Sequence, residues 1–363
     1  MAATLPSFTK VQPIEKAMSL IPATILTGFL GSGKTTLLKR VLEEAHGQKI
    51  AVIENEFGEE NIDSDILVSD TQEQIIQMSN GCICCTIRED LRATLRDLAE
   101  KKRKGELDFD RVVIETTGLA DPGPVAQTFF MDDEIAESYL LDSILTLVDA
   151  KHAQTQLSER QEARRQVGFA DQIFLSKTDL VAGDEVDALM HRLQHMNPRA
   201  PQKVVHFGEV ALSEVFDLRG FNLNAKLDID PDFLMEDEHD YDHAPGEHCD
   251  HPSHQHGEGH HHGHEDDVKS FVFRSDRAFD PAKLEDFLGA IVNIYGPRML
   301  RYKGVLFMKG TDRKVIFQGV HQLMGSDLGP SWAKDEKPNS KMVFIGIDLP
   351  KDIFLQGMVQ CLV

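Results

Sequence analysis

Nothing in the sequence approaches the ~18 consecutive apolar residues that a bilayer-spanning helix requires. The amino-terminal stretch also lacks the apolar segment of a secretory signal. The chain is therefore expected to be cytoplasmic, with no membrane partner. Positive charge is in short supply: 38 Lys and Arg stand against 60 Asp and Glu, a net charge of −22. Nucleic acid and anionic surfaces would both be repelled by that field, which removes them as main partners. Cysteine is scarce as well. Three of the five, Cys82, Cys84 and Cys85, crowd into four positions, and the others are Cys249 and Cys361. Such crowding is too close for a disulfide framework, and in reducing surroundings it points to metal binding or thiol reactivity.

What remains is a soluble globular composition, 41% hydrophobic and 27% charged over 363 residues, enough chain for two domains with a core each. Up to about residue 228, short β-branched apolar runs alternate with amphipathic stretches. Strands are expected at 23–27, 49–54, 111–115, 143–148, 172–175 and 203–206, with helices at 34–45, 87–102, 151–167 and 184–196. Alternation of this kind predicts an α/β fold with a doubly wound, mostly parallel sheet. The composition then breaks. Residues 235–267 hold ten His and eleven Asp or Glu with almost nothing apolar, too little to offset the entropy of ordering. A disordered linker is expected over 229–267. The remaining 268–363 reads as a small α+β domain: strand 268–274, helix 281–294, strands 300–308, 314–319 and 342–347, and a final helix 350–362.

Gly28-Phe29-Leu30-Gly31-Ser32-Gly33-Lys34-Thr35 fits the P-loop pattern GxxxxGK[ST], directly after a strand and opening a helix. In that pattern Gly28, Gly31, Ser32 and Gly33 curl their backbone N–H groups around phosphate oxygens. Lys34 reaches the β- and γ-phosphates, and the Thr35 hydroxyl ligates Mg²⁺. The strand 111–115 ends in Glu115-Thr116-Thr117-Gly118. An acid there faces Mg²⁺ or the attacking water, and the Gly118 amide can sense the γ-phosphate. Ser176-Lys177-Thr178-Asp179 resembles the guanine-reading NKxD motif with Ser for Asn. Asp179 would accept from guanine N1–H and its 2-amino group, and the Lys177 stem would lie along the base. GTP is thus the expected nucleotide.

Gly81-Cys82-Ile83-Cys84-Cys85 is the second strong motif. Soft thiolates suit Zn²⁺ or Cu⁺, and three ligands leave a tetrahedral ion one open position, which favours transfer over permanent structural use. A redox sensor is the competing reading of the same cysteines. Glu54 and Glu59, in the acidic loop 54–63, are candidate oxygen ligands beside them, and Asp63 in that loop is a candidate for Mg²⁺. In the His-rich stretch His248, Cys249, His251, His260 and His262 are candidate ligands for Zn²⁺, Ni²⁺ or Co²⁺, with loose geometry suited to collecting metal.

The segments GFLGSGKTT, ENEFGE, GCICC, ETTGLADPGPV and SKTD, followed by RYKGVLF, VIFQGVHQL and KMVFIGIDL, closely resemble the CobW-type GTPases. That metallochaperone family is related to the urease and hydrogenase maturation GTPases. The resemblance implies a P-loop GTPase domain with residues 28–36, Thr36 included, at the phosphates and Mg²⁺, and Glu115 in place of the usual switch Asp. It further implies a metal site of Cys82, Cys84 and Cys85 beside the switches, slow intrinsic hydrolysis, and transfer of the metal to a client protein. Zinc is the expected ion, with cobalt and nickel as alternatives, and homo-oligomerisation is left open. Two other readings compete: a metal buffer built on the His-rich segment, and a P-loop kinase, against which SKTD argues.

Overall fold

The computed structural model describes residues 20–44, 48–54, 75–77, 86–218, 220–221, 267–334 and 336–363. The first sheet and its helices run β1 (Ile21–Gly28), α1 (Lys34–Glu44), β2 (Ile50–Glu54), β3 (Ile75–Gln77), α2 (Thr86–Lys104), β4 (Arg111–Glu115), α3 (Pro122–Met131), α4 (Asp133–Ser138), β5 (Tyr139–Asp149), α5 (Ala153–Glu159), α6 (Gln161–Phe169), β6 (Gln172–Ser176), α7 (Gly183–Met196) and β7 (Gln202–Val204). Seven strands lie in the order β3-β2-β4-β1-β5-β6-β7, every neighbouring pair parallel. β2, β4 and β6 are buried along their whole length, as parallel strands covered on both faces must be. On one face α1 inserts Leu37, Leu38, Val41 and Leu42 against Leu26, Val52 and Phe174. On the other α2 packs Leu91, Leu95 and Leu98 against Ala51, Ile53 and Ile114.

The second sheet comprises β8 (Val268–Ser275), β9 (Met299–Leu306), β10 (Arg313–Val320), β11 (Leu323–Ser331) and β12 (Ser340–Ile347), with α8 (Pro281–Tyr295) and α9 (Lys351–Gln360). It is antiparallel, in the order β11-β10-β9-β12-β8. The period-2 alternation of a strand sends β12 into two cores. Met342 and Phe344 join Leu284, Leu288 and Phe354 beneath α8 and α9. Val343, Ile345 and Ile347 join Val167, Phe169 and Leu193 of α6 and α7. The two sheets therefore share one apolar layer. Within it Arg301 pairs with Asp171 at 2.7 Å, both nearly inaccessible, and donates to the Phe169 carbonyl at 2.9 Å. Asp267, at the end of the expected linker, pairs with Arg164 of α6; residues 229–266 lie outside the described residues.

The strand-helix alternation agrees with the sequence expectation, with local differences. The helix expected at 151–167 is two helices, broken at Arg160, which is extended at φ −120° and ψ 116°. α5 buries Ala153 and Leu157, whereas α6 buries Ala163, Gln166 and Val167. An unbroken helix would turn Arg160, Gln161 and Arg164 into that stripe, so the break re-aims the chain. α3 was not expected, yet Asp121 caps it by accepting from the Gly123 N–H, with Pro122 in the first turn, a known helix opening. β11 was not expected either. It is an edge strand whose residues 325–328 are exposed, and its Pro330 is tolerated only at such an edge. No helix among the described residues is long and apolar enough to cross a membrane.

Candidate functional site

The loop between β1 and α1 folds because its glycines occupy backbone regions that other residues rarely adopt. Gly28, Gly31 and Gly33 have φ of 145°, 75° and 98°, and a Cβ on Gly28 would lie 2.4 Å from the Leu147 carbonyl oxygen. Lys34 opens α1, and its Nζ donates to the Gly28 carbonyl at 2.9 Å. The ammonium is thus held over the loop where phosphate oxygens would compete for it. Thr35 Oγ1 donates to Glu115 Oε1 at 3.1 Å. A hydroxyl and a carboxylate in contact are hard oxygen donors of the kind Mg²⁺ takes, so these two residues fit that ion. Thr36, one residue on, is exposed.

Glu115 is positioned by register. β4 lies between β1 and β2, with Leu26 opposite Glu115 on one side and Glu54 opposite Glu115 on the other. Both carboxylates are buried, Glu54 at 9% and Glu115 at 7% exposure. Past Glu115 the chain is tied to the P-loop strand by Thr116 Oγ1, which donates to Thr27 Oγ1 at 2.8 Å. Gly118 then presses on the loop itself, since a Cβ there would lie 2.6 Å from the Leu30 amide nitrogen. Gln166 Nε2 of α6 fastens this turn from behind, donating to the carbonyls of Gly118 at 3.1 Å and Ala120 at 3.0 Å.

At the end of β6, Ser176 Oγ donates to the Ser32 carbonyl at 2.7 Å. The short hydroxyl thus bridges the end of β6 to the P-loop, which gives the Ser of SKTD a defined task. Lys177 follows at φ 57°. Its Nζ donates to the Gly31 carbonyl and to Asp149 Oδ2, both at 2.7 Å, so its stem crosses beside the loop. Asp179 is exposed in the next turn, open to a ligand. Asp149, at the end of β5, was missed in the sequence. It also accepts from the Lys151 N–H and contacts His152 Nδ1 at 2.9 Å. Burial pushes its carboxyl up, but the Lys177 and His152 hydrogen bonds outweigh that and hold it below the usual carboxylate range. An acid ending an apolar strand, as Glu115 does, was the available signal. The Gln166 clamp had none, because it acts on a turn 46 and 48 residues away.

Gly28, Gly31, Ser32, Gly33, Lys34, Thr35, Thr36, Glu54, Glu115, Gly118, Lys177 and Asp179 thus gather at the carboxyl ends of β1, β2, β4 and β6, where open α/β sheets bind ligands. Glu59, Asp63, Cys82, Cys84, Cys85, His248, Cys249, His251, His260 and His262 lie outside the described residues. Among the described residues no three His, Cys, Asp or Glu side chains converge as a metal-binding group.

Fold and loop geometry together define a P-loop nucleotide-binding protein. A family model described as CobW/HypB/UreG, nucleotide-binding domain, matches residues 22–203, and one for the cobalamin synthesis protein cobW C-terminal domain matches residues 268–362. The chain belongs to the CobW/HypB/UreG family. The zinc chaperone YjiA of Escherichia coli is 42% identical over 337 residues, covering 92% of this chain and 96% of its own. Zinc-regulated GTPase metalloprotein activator 1 of Dictyostelium discoideum is 30% identical over 389 residues, covering 95% and 74%. The crystal structure of Zn(II)-bound YjiA GTPase from E. coli has a TM-score of 0.70 at 36% identity, covering 94% of this chain and 99% of that one.

Proposed function

We propose that this chain is a cytosolic GTPase that carries zinc as cargo, hydrolysing GTP to GDP and phosphate while holding the ion at Cys82, Cys84 and Cys85 and passing it to a metal-requiring client. In this reading residues 1–228 are the GTPase domain and 268–363 the CobW-type domain, joined by the His-rich linker. Thr35 and Glu115 hold Mg²⁺, which neutralises charge developing on the phosphates, and Lys34 and Gly118 flank the γ-phosphate. The observation that carries the coupling is the register Glu54 opposite Glu115. A candidate zinc ligand stands one strand from the residue that meets the nucleotide's own metal. A change in Glu115 between GTP and GDP states is then felt at Glu54, and linkage requires zinc to alter nucleotide affinity by the same factor. The relatives named zinc chaperone and the Zn(II)-bound YjiA GTPase support zinc as the ion.

The test is zinc affinity of anaerobically purified chain, measured with a non-hydrolysable GTP analogue and with GDP. The expected result is at least a fivefold difference between the two states, abolished in the Cys82→Ser, Cys84→Ser, Cys85→Ser triple variant. Equal affinity in both states, or zinc-sensitive GTP turnover surviving in the triple variant, overturns the coupling.

A further inference from the structure

The turn after β7 closes the nucleotide edge on its far side. β7 runs parallel to β6 with Leu175 opposite Val204, and the Val205 N–H donates to the Leu175 carbonyl at 2.8 Å. The two strand ends are therefore one ladder spacing apart, about 4.8 Å. From one leaves the base-reading turn of Lys177 and Asp179; from the other leave His206, Phe207 and Gly208. Gly208, at φ 77°, lies on the start of α1: a Cβ there would be 2.9 Å from Leu37 Cα and 3.0 Å from the Thr36 carbonyl oxygen. Only glycine lets the turn sit so close, which pins it between the base-reading turn and the phosphate-binding helix.

Phe207 stands at the tip of this pinned turn, 85% exposed, the most exposed large apolar side chain among the described residues. Its φ is 45°, a region that bulky side chains rarely occupy. Five non-glycine residues among those described have positive φ, and two of them, Lys177 and Phe207, leave these neighbouring strand ends. Strained backbone of this kind persists where surrounding structure enforces it, and it gathers at ligand sites. A ring pushed into water by strained backbone gains nothing from folding, whereas a flat aromatic ligand beside it would bury both surfaces.

We propose that Phe207 is a base-stacking residue of the nucleotide site, its ring covering the purine from the β7 side while the Lys177 stem lines the β6 side. The inference rests on the purine being seated over the SKTD turn. Base identity is read by Asp179 and is a separate matter, because every base offers a π face and stacking does not discriminate among them.

GDP and IDP affinities of the full chain, measured by titration calorimetry for wild type, Phe207→Ala, Phe207→Trp and Asp179→Ala, test this. Phe207→Ala is expected to weaken both nucleotides equally, about tenfold, as loss of one base-aromatic stack does, with thermal stability unchanged because the ring is exposed. Phe207→Trp is expected to recover affinity to within about threefold and, in a Trp332→Phe background, to show indole quenching on GDP addition. Phe207→Ala binding GDP and IDP within twofold of wild type overturns the proposal. Asp179→Ala separates the two readings: unchanged preference for GDP over IDP removes guanine recognition, while a tenfold loss in Phe207→Ala still upholds stacking.

Discussion

Thr35 Oγ1 and Glu115 Oε1 are in contact at 3.1 Å, and two predictions at the residue scale start from that end of the sheet. In the proposed function Thr35 is a ligand of Mg²⁺, and Thr35→Ala removes its hydroxyl. GTP turnover at saturating nucleotide is expected to fall about a hundredfold, the scale on which loss of one preorganised group that stabilises charge in the transition state is felt. Thr35→Ser, which keeps the oxygen, should stay within a few fold, and phosphate release across a Mg²⁺ titration distinguishes them. The second concerns His321, at the start of the β10–β11 turn. It is buried against Phe169, with ring centroids 5.2 Å apart, and its Nδ1 lies 3.3 Å from the Gly296 carbonyl oxygen. Burial lowers its pKa from the ordinary 6.5; Asp121 and the backbone hydrogen bonds at Gly296 and Pro297 pull it up without reversing the direction, and Arg165 adds to the lowering. A depressed folded value means that the unfolded chain binds the proton first. His321 therefore costs nothing above pH 6.5 and destabilises progressively as pH falls below it. Urea midpoints at pH 7.5 and 5.5 should converge in His321→Gln relative to wild type.

The clamps on the P-loop act at the scale of elements. Ser176 joins β6 to the loop through the Ser32 carbonyl at 2.7 Å. Ser176→Ala leaves that tie unmade, at a cost of about 1 kcal/mol. GDP affinity is expected to drop about fivefold without change in base preference, measured by displacement of a fluorescent GDP analogue. A change confined to guanine would instead assign Ser176 to base reading. The P-loop, ExxG and SKTD positions were legible because each is a short motif between a strand and a helix, and local sequence carries both. The pairing of Glu54 with Glu115 was not, since register between β2 and β4 is set by packing across 61 residues of chain. Nor was the break at Arg160, where no Pro or Gly interrupts the pattern and only the shifted burial of Ala163 and Val167 reveals it. β11 escaped notice for the opposite reason: an exposed edge strand needs no apolar alternation. The cysteines and histidines most legible as metal ligands lie outside the described residues, so strand-end carboxylates carry the structural case.

For the whole molecule the decisive region is the layer shared by the two sheets. Val268, Leu300, Val343 and Ile345 of the C-terminal sheet fill the same core as Val167, Phe169 and Leu193 of α6 and α7, the helices that cover the first sheet, each side chain contributing about 1.5–3 kcal/mol by leaving water. A layer of this size makes the two sheets melt together, so one urea transition is expected by both far-ultraviolet ellipticity and Trp332 fluorescence. Arg301 decides how that layer is held. Its guanidinium meets Asp171 at 2.7 Å, the Phe169 carbonyl at 2.9 Å and the Gly220 carbonyl at 3.0 Å, and lies 4.1 Å from the Phe221 ring centroid. Asp171 Oδ2 in turn accepts the Ile144 N–H of β5 at 3.0 Å, which links the junction to the strand ending in Asp149 beside the P-loop. Arg301→Met keeps the volume but takes the guanidinium away from a buried carboxylate, and should cost about 3–5 kcal/mol. Adding Asp171→Asn removes that charge while retaining an acceptor for Ile144, so the double variant should regain more than half of the loss. The cycle then yields a coupling of at least about 1.5 kcal/mol between the two side chains. Additive losses, or an Arg301→Met cost below about 1 kcal/mol, would mean that apolar packing alone holds the sheets together.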